Sequence, residues 1–185
     1  MRIGFLGFSD VGPNHLAAGE EKAGLLLANN PRFEEIIKNA SSQVNYLIVS
    51  FHFGDEYKPI HNDRQELLAH LAIDNGAKIV VGHHPHVAQD TEVYSPESCA
   101  QISCVGYIMY SLGNFIFDQK FSTPTMQGLL VQIRLDKQGG MSVTKNITKQ
   151  NKFFQIERIV LGREEKIKLV PASAPVSGLP KKVAQ

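Results

Sequence analysis

Short apolar runs alternate with amphipathic segments along the first half of the chain. Apolar residues dominate Arg2–Phe8, Tyr46–Ser50 and Lys78–Val81, a pattern typical of strands covered on both faces. Between these runs, Arg32–Asn39 and Asp63–Asp74 carry apolar residues at helical spacing. The order strand, helix, strand, helix, strand predicts parallel strands joined by right-handed crossovers.

Proline, glycine and asparagine mark the ends of these segments. Pro31 suits the first turn of the helix that follows it. A backbone N–H there would have no partner within the helix, so its absence in proline costs no hydrogen bond. Asn75-Gly76 closes the second helix, where Gly76 suits the left-handed conformation of a helix end. The stretch Val11–Asn30 is rich in Gly, Pro and Asn and is predicted to be mostly loop.

The second half of the chain has a different pattern. Tyr107–Leu112, Leu129–Leu135 and Met141–Thr148 are predicted strands, and Gln138-Gly139-Gly140 predicts a hairpin between the last two. Phe153–Leu161 supplies one further strand. The predicted fold class is therefore α/β, with parallel strand–helix units followed by an antiparallel hairpin portion.

Length and composition indicate one globular domain, because 185 residues are enough to bury a substantial core. We expect this domain to cover residues 1–162 and residues 163–185 to form a charged, then Pro- and Ala-rich flexible tail. The net charge is +1 and its charges are interspersed, so no nucleic-acid partner is expected. No run approaches the ~20 apolar residues of a membrane helix, and Met1-Arg2 begins no signal peptide.

Cysteine usage and motif content remove several classes of chemistry. Cys99 and Cys104 are too few to staple a domain of this size; they either remain free or pair across a loop if the protein is exported. The sequence has no Gly-x-Ser-x-Gly, no Gly-x-x-x-x-Gly-Lys-Ser/Thr and no Cys-x-x-Cys. These absences argue against a serine-hydrolase elbow, a phosphate-binding loop and a dithiol motif.

Chemically active side chains follow three predicted strands. His52 and Glu56 come after the second strand, His83-His84-Pro85-His86 after the third, and Asn114 shortly after Leu112. In open α/β sheets the functional crevice lies beyond the carboxyl ends of the strands, so we expect these residues to meet there. Neutral imidazoles and carboxylates bind Zn, Mn or Fe(II). The sequence therefore predicts a divalent-metal site.

The spacing within the histidine cluster predicts which rings face the ion. In an extended segment residues two apart project the same way, so His84 and His86 are expected to share one ion, with Pro85 stiffening the backbone between them. His83 is expected to point away unless the backbone turns, and His52 to approach from the neighbouring strand end. Without a metal, the same histidines would serve as hydrogen-bonding residues.

Other polar residues near the predicted site have two interpretations each. Asp55 and Glu56 either orient a metal ligand or are solvated loop carboxylates. Ser111-Leu112-Gly113-Asn114 is either part of the site or a turn in which the Asn114 side chain bonds the backbone. His61 and His70 lie in or near the second helix, where surface or packing roles are expected.

Three stretches resemble, in order and spacing, signature segments of the CapA family of poly-γ-glutamate capsule biosynthesis proteins. They are His52-Phe53-Gly54-Asp55-Glu56-Tyr57, Gly82-His83-His84-Pro85-His86-Val87 and Tyr110-Ser111-Leu112-Gly113-Asn114-Phe115-Ile116-Phe117-Asp118-Gln119. The family usually has Trp at the position of Phe53. The resemblance spans residues 2–135 and implies part of a calcineurin-like metallophosphoesterase fold, an αββα sandwich of two sheets flanked by helices.

The resemblance also implies roles for individual residues. His52, His84 and His86 would supply metal ligands, and two ions in a full site would clamp an oxyanion substrate and generate a hydroxide nucleophile. His83 would be an additional ligand or a hydrogen-bond donor to the leaving group. Asn114 and Glu56 would complete the catalytic set near the substrate.

The N-terminal part departs from the family pattern. The relatives have an early Gly-Asp ligand, further acidic ligands and an Asn-Asn-His segment, whereas Asn29-Asn30 here precedes proline. The chain is therefore expected to correspond to the C-terminal half of the family domain. Three explanations follow: a fragment of a complete protein, a chain that pairs with itself or another chain to rebuild the site, or a relative without catalysis.

The leading hypothesis is a metal-dependent phosphoesterase-like hydrolase or transferase domain acting in capsule or cell-surface polymer biosynthesis, on an anionic polymer or a phosphate ester. The alternative is a non-catalytic component that binds such a polymer or assembles with the capsule machinery. Both kinds of ligand carry anionic oxygens, so the residue types do not separate the two hypotheses. The relatives are commonly anchored outside the membrane by sequence beyond the matching segment, so the resemblance leaves the location of this chain open.

Overall fold

The computed structural model describes residues 1–96, 105–136 and 140–168 of the 185-residue chain. Cys99 and Cys104, most of the predicted hairpin turn at 138–140, and the predicted tail beyond residue 168 lie outside the described residues.

The first sheet has five strands in the order β1-β2-β3-β5-β4. Neighbours among β1, β2, β3 and β5 are parallel, which confirms the predicted strand–helix units, and β4 is antiparallel to β5. The hydrophobic pattern missed β4 because this short edge strand is half polar. The strands are β1 (Ile3–Ser9), β2 (Tyr46–His52), β3 (Ile79–His83), β4 (Thr91–Tyr94) and β5 (Gly106–Met109).

Two helices, α1 (Phe33–Ser41) and α2 (Asp63–Asp74), cover one face of this sheet. Asn62 caps α2 in a reciprocal box with Gln65, in which each side chain bonds the other residue's backbone amide. The apolar faces of both helices are buried against alternate residues of the central strands, which drives their docking. This layer contains Phe33, Ile37, Leu68, Ala72, Val49, Phe51, Val80 and Ile108.

The second sheet is antiparallel and is centred on β7. β6 pairs with one edge of β7 along its whole length, while β8 and β9 share the other edge. Its strands are β6 (Gln127–Leu135), β7 (Gly140–Gln150), β8 (Ile156–Val160) and β9 (Glu164–Lys168).

The strand β9 lies in the segment that was predicted to begin the flexible tail. Its formation has a physical reason: Ile167 packs against the core between the sheets, and Glu165 forms an ion pair with Lys145 at 2.9 Å. Strand structure is therefore present beyond residue 162, within the segment whose charged residues predicted a tail.

The two sheets pack face to face through a second apolar core. This core contains Tyr46, Ile79, Tyr107, Met109, Met141 and Val143. The described chain therefore has three layers, helices on sheet on sheet, which confirms the predicted α/β class and part of the expected sandwich. Within the described ranges, no helix combines the length and apolar character needed to span a membrane.

The strand β1 leaves apolar surface uncovered at one edge of the first sheet. Ile3 is 41% exposed and Phe5 is 73% exposed, because both project from the face opposite the helices, beyond the reach of the second sheet. At the end of β1, Ser9 bridges Leu27 of the following loop. This uncovered face leads directly to the carboxyl end of the sheet.

Candidate metal centre

The ends of β2 and β3 place two histidines side by side. His52 and His83 are register partners in the parallel pair, and the amide of Phe53 donates to the His83 carbonyl at 3.0 Å. Alternation along β2 buries Phe51 against the helices and sends His52 to the opposite face. The predicted convergence at the carboxyl ends of the strands is therefore present.

The chain turns sharply after His83, so the loop is not the extended segment that the His-x-His spacing predicted. His84 has φ 106° and His86 has φ 61°, both in the region that L residues rarely adopt. The turn is required because the chain must reverse within a few residues for Ala88 to pair with Leu112. The rings of His84 and His86 nevertheless face each other, with centroids 5.9 Å apart.

A carboxylate joins these two histidines. One potential ligand atom from each of Glu56, His84 and His86 lies within 4.8 Å of the others, and Glu56 Oε1 is 3.9 Å from His86 Nε2. The loops are tied together because the amide of Tyr57 donates to the Pro85 carbonyl at 2.8 Å. Glu56 therefore lies within the cluster of potential ligands, together with His84 and His86.

His52 lies at the margin of this cluster. Its ring centroid is 4.7 Å from that of His84. Partial burial lowers the pKa of both His52 and His84, and the charges of neighbouring histidines lower the pKa of His52 further. Both rings are therefore neutral at neutral pH, which leaves a nitrogen lone pair on each for a cation.

His83 occupies a different part of the same crevice. It lines a cleft of about 580 Å³ together with His52, Ser9 and Leu25, and crowding at the strand end lowers its pKa through desolvation. The cluster of Glu56, His84 and His86 does not include it. Its predicted role as a ligand or hydrogen-bond donor remains a prediction.

Asn114 bonds both the backbone and a histidine of the cluster, so both interpretations of this residue apply. Its amide nitrogen donates to the backbone carbonyl of Thr125 at 3.0 Å, while its Oδ1 is 3.0 Å from His86 Nδ1. The residue is buried, and Gly128 permits this arrangement, since a Cβ there would lie 2.1 Å from the Asn114 carbonyl oxygen. Asn114 thus orients a histidine of the cluster.

Residues outside the predicted set complete the surroundings of His86. Its ring lies near those of Tyr57 and Phe117, at centroid distances of 5.9 and 5.0 Å. Gln119 links Asn114 to Tyr57 by hydrogen bonds of 3.2 and 2.9 Å. These roles were not predicted from the sequence. The sequence showed only that Tyr57, Phe117 and Gln119 lie within the motif stretches, and it did not show which side chains they contact.

The remaining polar residues have structural partners. Asp55 accepts a hydrogen bond from the Asn62 side chain at 2.8 Å and so braces the start of α2. The ring of His61 stacks on Tyr110, and the ring of His70 stacks on Tyr94. This stacking confirms the packing roles predicted for the two histidines. Each ring also bonds a nearby carboxylate, Asp90 for His61 and Glu92 for His70.

The donor set fits a divalent cation. Two imidazole nitrogens and a carboxylate oxygen are ligands that Zn, Mn and Fe(II) accept, and this is the only such group of three within the part of the chain that the structure describes. The site and the fold define a class: an α/β sandwich protein that carries a histidine–carboxylate cluster at the carboxyl ends of its parallel strands.

Comparison with known proteins identifies the family. Residues 1–119 match the family described as "Bacterial capsule synthesis protein PGA_cap". The chain therefore belongs to this capsule-synthesis family. Two CapA proteins are similar to it in sequence, which confirms the resemblance inferred from the sequence.

Two characterised relatives have sequences similar to this chain. The PGA biosynthesis protein CapA of Bacillus subtilis (strain 168) is 42% identical over 139 residues, which are 75% of this chain and 34% of that protein. The capsule biosynthesis protein CapA of Bacillus anthracis is 38% identical over 143 residues, covering 75% and 32% respectively. The chain thus matches about a third of the length of each relative.

Proposed function

We propose that this chain carries part of the metal site of a phosphoesterase-like hydrolase or transferase that acts in capsule or cell-surface polymer biosynthesis. The observation that carries the proposal is the convergence of Glu56, His84 and His86 within 4.8 Å at the carboxyl ends of the parallel strands. The two relatives are a PGA biosynthesis protein and a capsule biosynthesis protein, which supports the biological setting.

The chemistry of the cluster suits an anionic substrate. A divalent cation bound there would act as a Lewis acid toward a phosphoryl or carboxyl oxygen and would lower the pKa of bound water. In this proposal Glu56, His84 and His86 hold the ion, and His52 is a further ligand from the neighbouring strand. His83, which lines the adjacent cleft, would donate a hydrogen bond to a leaving group.

Further ligands are proposed to come from outside the described residues. A two-metal site needs more carboxylates than this cluster supplies, and the relatives have about two thirds of their length beyond the matching segment. The uncovered face at Ile3 and Phe5 adjoins the cleft that holds His52 and His83. A preceding segment, or a second copy of the chain, would both cover this face and complete the site.

A second candidate function is favoured by the surface around the cluster. The rings of Tyr57 and Phe117 lie near His86, and the ring of Phe121 packs against Tyr57. All three aromatic residues are at least 40% exposed, and exposed aromatic patches of this kind mark binding sites. In this alternative the chain is a non-catalytic component that binds an anionic polymer or assembles with the capsule machinery. A bound metal ion would then play no part in the function of the chain.

Metal titration distinguishes the two candidates. The purified, chelator-treated chain is titrated with Mn²⁺ and with Zn²⁺ by calorimetry, and turnover of an aryl phosphate is measured in parallel. We expect stoichiometric binding that is lost in His84→Ala and in Glu56→Gln. His15→Ala is the matched control, because His15 is exposed in the loop that follows β1 and should leave binding unchanged.

Each outcome has a defined meaning. Binding with turnover supports the hydrolase, whereas binding without turnover supports a metal site whose remaining ligands lie outside this chain. If neither ion binds at micromolar concentrations, or if His84→Ala binds as well as the parent, the metal-site proposal is wrong and the polymer-binding candidate stands.

A further inference from the structure

A chain of hydrogen bonds leads from the surface to His86. Gln119 Nε2 donates to the Tyr57 hydroxyl at 2.9 Å, and Gln119 Oε1 accepts from Asn114 Nδ2 at 3.2 Å. Asn114 Oδ1 then lies 3.0 Å from His86 Nδ1. Two side chains, Gln119 and Asn114, therefore connect the Tyr57 hydroxyl to the imidazole of the cluster by hydrogen bonds.

The backbone fixes the direction of every bond in this chain. The Thr125 carbonyl can only accept, so the group of Asn114 that faces it at 3.0 Å must be the NH₂ group. The Asn114 oxygen therefore faces His86 and, being an acceptor only, requires a proton on Nδ1. The second hydrogen of the Asn114 NH₂ group is taken by Gln119 Oε1, which leaves Asn114 one orientation.

This arrangement determines which nitrogen of His86 is free. In a neutral imidazole one nitrogen carries the proton and the other keeps the lone pair. With the proton on Nδ1, the lone pair lies on Nε2, the atom 3.9 Å from Glu56 Oε1. The rings of Tyr57 and Phe117 pack close to this imidazole and help to hold its position.

We infer that Gln119 is a positioning residue which, through Asn114, holds His86 in the Nδ1–H tautomer with Nε2 directed at the cation site. The role of this tautomer in metal binding rests on the proposed function; the tautomer itself is a property of the metal-free chain. Hydrogen-bond partners of this kind orient metal ligands and raise their basicity.

Nitrogen NMR of the metal-free full chain tests the inference directly. Long-range ¹H–¹⁵N correlations distinguish the two neutral tautomers when recorded at about pH 8, above the ordinary histidine pKa of about 6.5. The His86 signals are assigned by their absence in His86→Gln. We expect the parent chain to show Nδ1 protonated and Nε2 unprotonated, and Gln119→Leu to shift the ring toward a mixture with Nε2 protonated.

Two further variants separate positioning from general structural support. Gln119→Glu keeps an acceptor for Asn114 Nδ2 and should retain the parental tautomer. Gln132→Leu changes an exposed glutamine on β6, away from the cluster, and should have no effect. In Mn²⁺ or Zn²⁺ titrations, Gln119→Leu should weaken binding about tenfold while Gln119→Glu stays near the parent.

The outcomes distinguish this inference from the proposed function. A parent chain with His86 protonated on Nε2, or a Gln119→Leu variant with unchanged tautomer, overturns the positioning role even if metal binds. The expected tautomers in a chain that binds neither ion would support the positioning role and overturn the metal site instead. Because the parent chain alone decides the tautomer, a variant that fails to fold does not remove the test.

Discussion

Two histidines of the cluster have backbone conformations that residues other than glycine rarely adopt. His84 and His86 lie at φ 106° and 61°, and each such conformation destabilises the fold by about 1–3 kcal/mol. Both side chains point into the candidate metal centre, where their replacement by glycine would remove a ligand atom. The unfavourable backbone conformation at these two residues is therefore explained if the function requires both imidazole side chains.

Replacement of His84 by glycine should separate stability from function. Because glycine relieves the positive φ, we expect His84→Gly to leave the free energy of unfolding unchanged or raise it by up to about 1 kcal/mol, measured by urea denaturation with a chelator present. Metal binding should be lost. The matched variant His83→Gly, in a strand, should lose roughly 0.5–1 kcal/mol. A greater loss in His84→Gly than in His83→Gly would contradict this interpretation.

The lowered pKa values predict how stability depends on pH. Burial lowers the pKa of His52 and His84 in the folded chain, so the unfolded chain takes up protons first as the pH falls below about 6.5. We expect the metal-free chain to lose stability between pH 7 and pH 5, measured by urea midpoints. The double variant His52→Gln/His84→Gln should lose less, and His15→Gln should match the parent. Equal slopes in all three chains would refute the contribution of these histidines.

At the scale of elements, close packing between strands positions the histidine loop. Gly82 is the last residue before the histidines, and a Cβ there would lie 1.9 Å from the carbonyl oxygen of Tyr110. Leu112 donates its amide to the Gly82 carbonyl at 3.1 Å. The loops that carry the histidines and Asn114 are therefore held together by backbone contacts that only glycine allows.

Gly82→Ala should destabilise the fold and disturb the centre together. The added methyl group meets the backbone of Tyr110 and the buried ring of Phe53, so we expect a loss of about 2–4 kcal/mol in the free energy of unfolding. Gly7→Ala on β1 is the control, because a Cβ there meets nothing within 4 Å. Urea denaturation of both variants gives the comparison, and a Gly82→Ala chain as stable as Gly7→Ala would show that the packing can relax.

For the whole molecule, the second sheet extends further along the chain than its composition indicates. β9 pairs with the first half of β7, and Ile167 contributes to the core between the sheets. The structure of this core therefore depends on residues that look like part of a charged tail.

Truncation tests this dependence. A chain ending at residue 170 keeps every described strand and should unfold like the full-length chain. A chain ending at residue 162 lacks β9, which leaves an edge of β7 unpaired and uncovers Met141, so we expect it to lose at least about 2 kcal/mol of stability. Thermal and urea unfolding provide the measurement. Identical midpoints for the two truncated chains would show that β9 contributes nothing.

Much of the fold was predictable because its signals are local. The helices that begin near Arg32 and at Asp63 have helical periodicity and recognisable ends, and the buried strands are continuous apolar runs. β4 and β9 were missed because edge strands with polar outer faces lack such a pattern. Their pairing depends on partners that are distant in sequence.

The sequence by itself indicated the family and the parallel strand–helix units and predicted where the histidines gather, because motif identity and hydrophobic period are properties of neighbouring residues. Only the tertiary structure decided how those residues meet. It replaced the expected extended His-x-His segment with a turn, moved Glu56 into the ligand cluster, and connected Gln119 to His86 through Asn114. The last two relations join separate loops, and distances between side chains on different loops are set by the packing of the sheets beneath them.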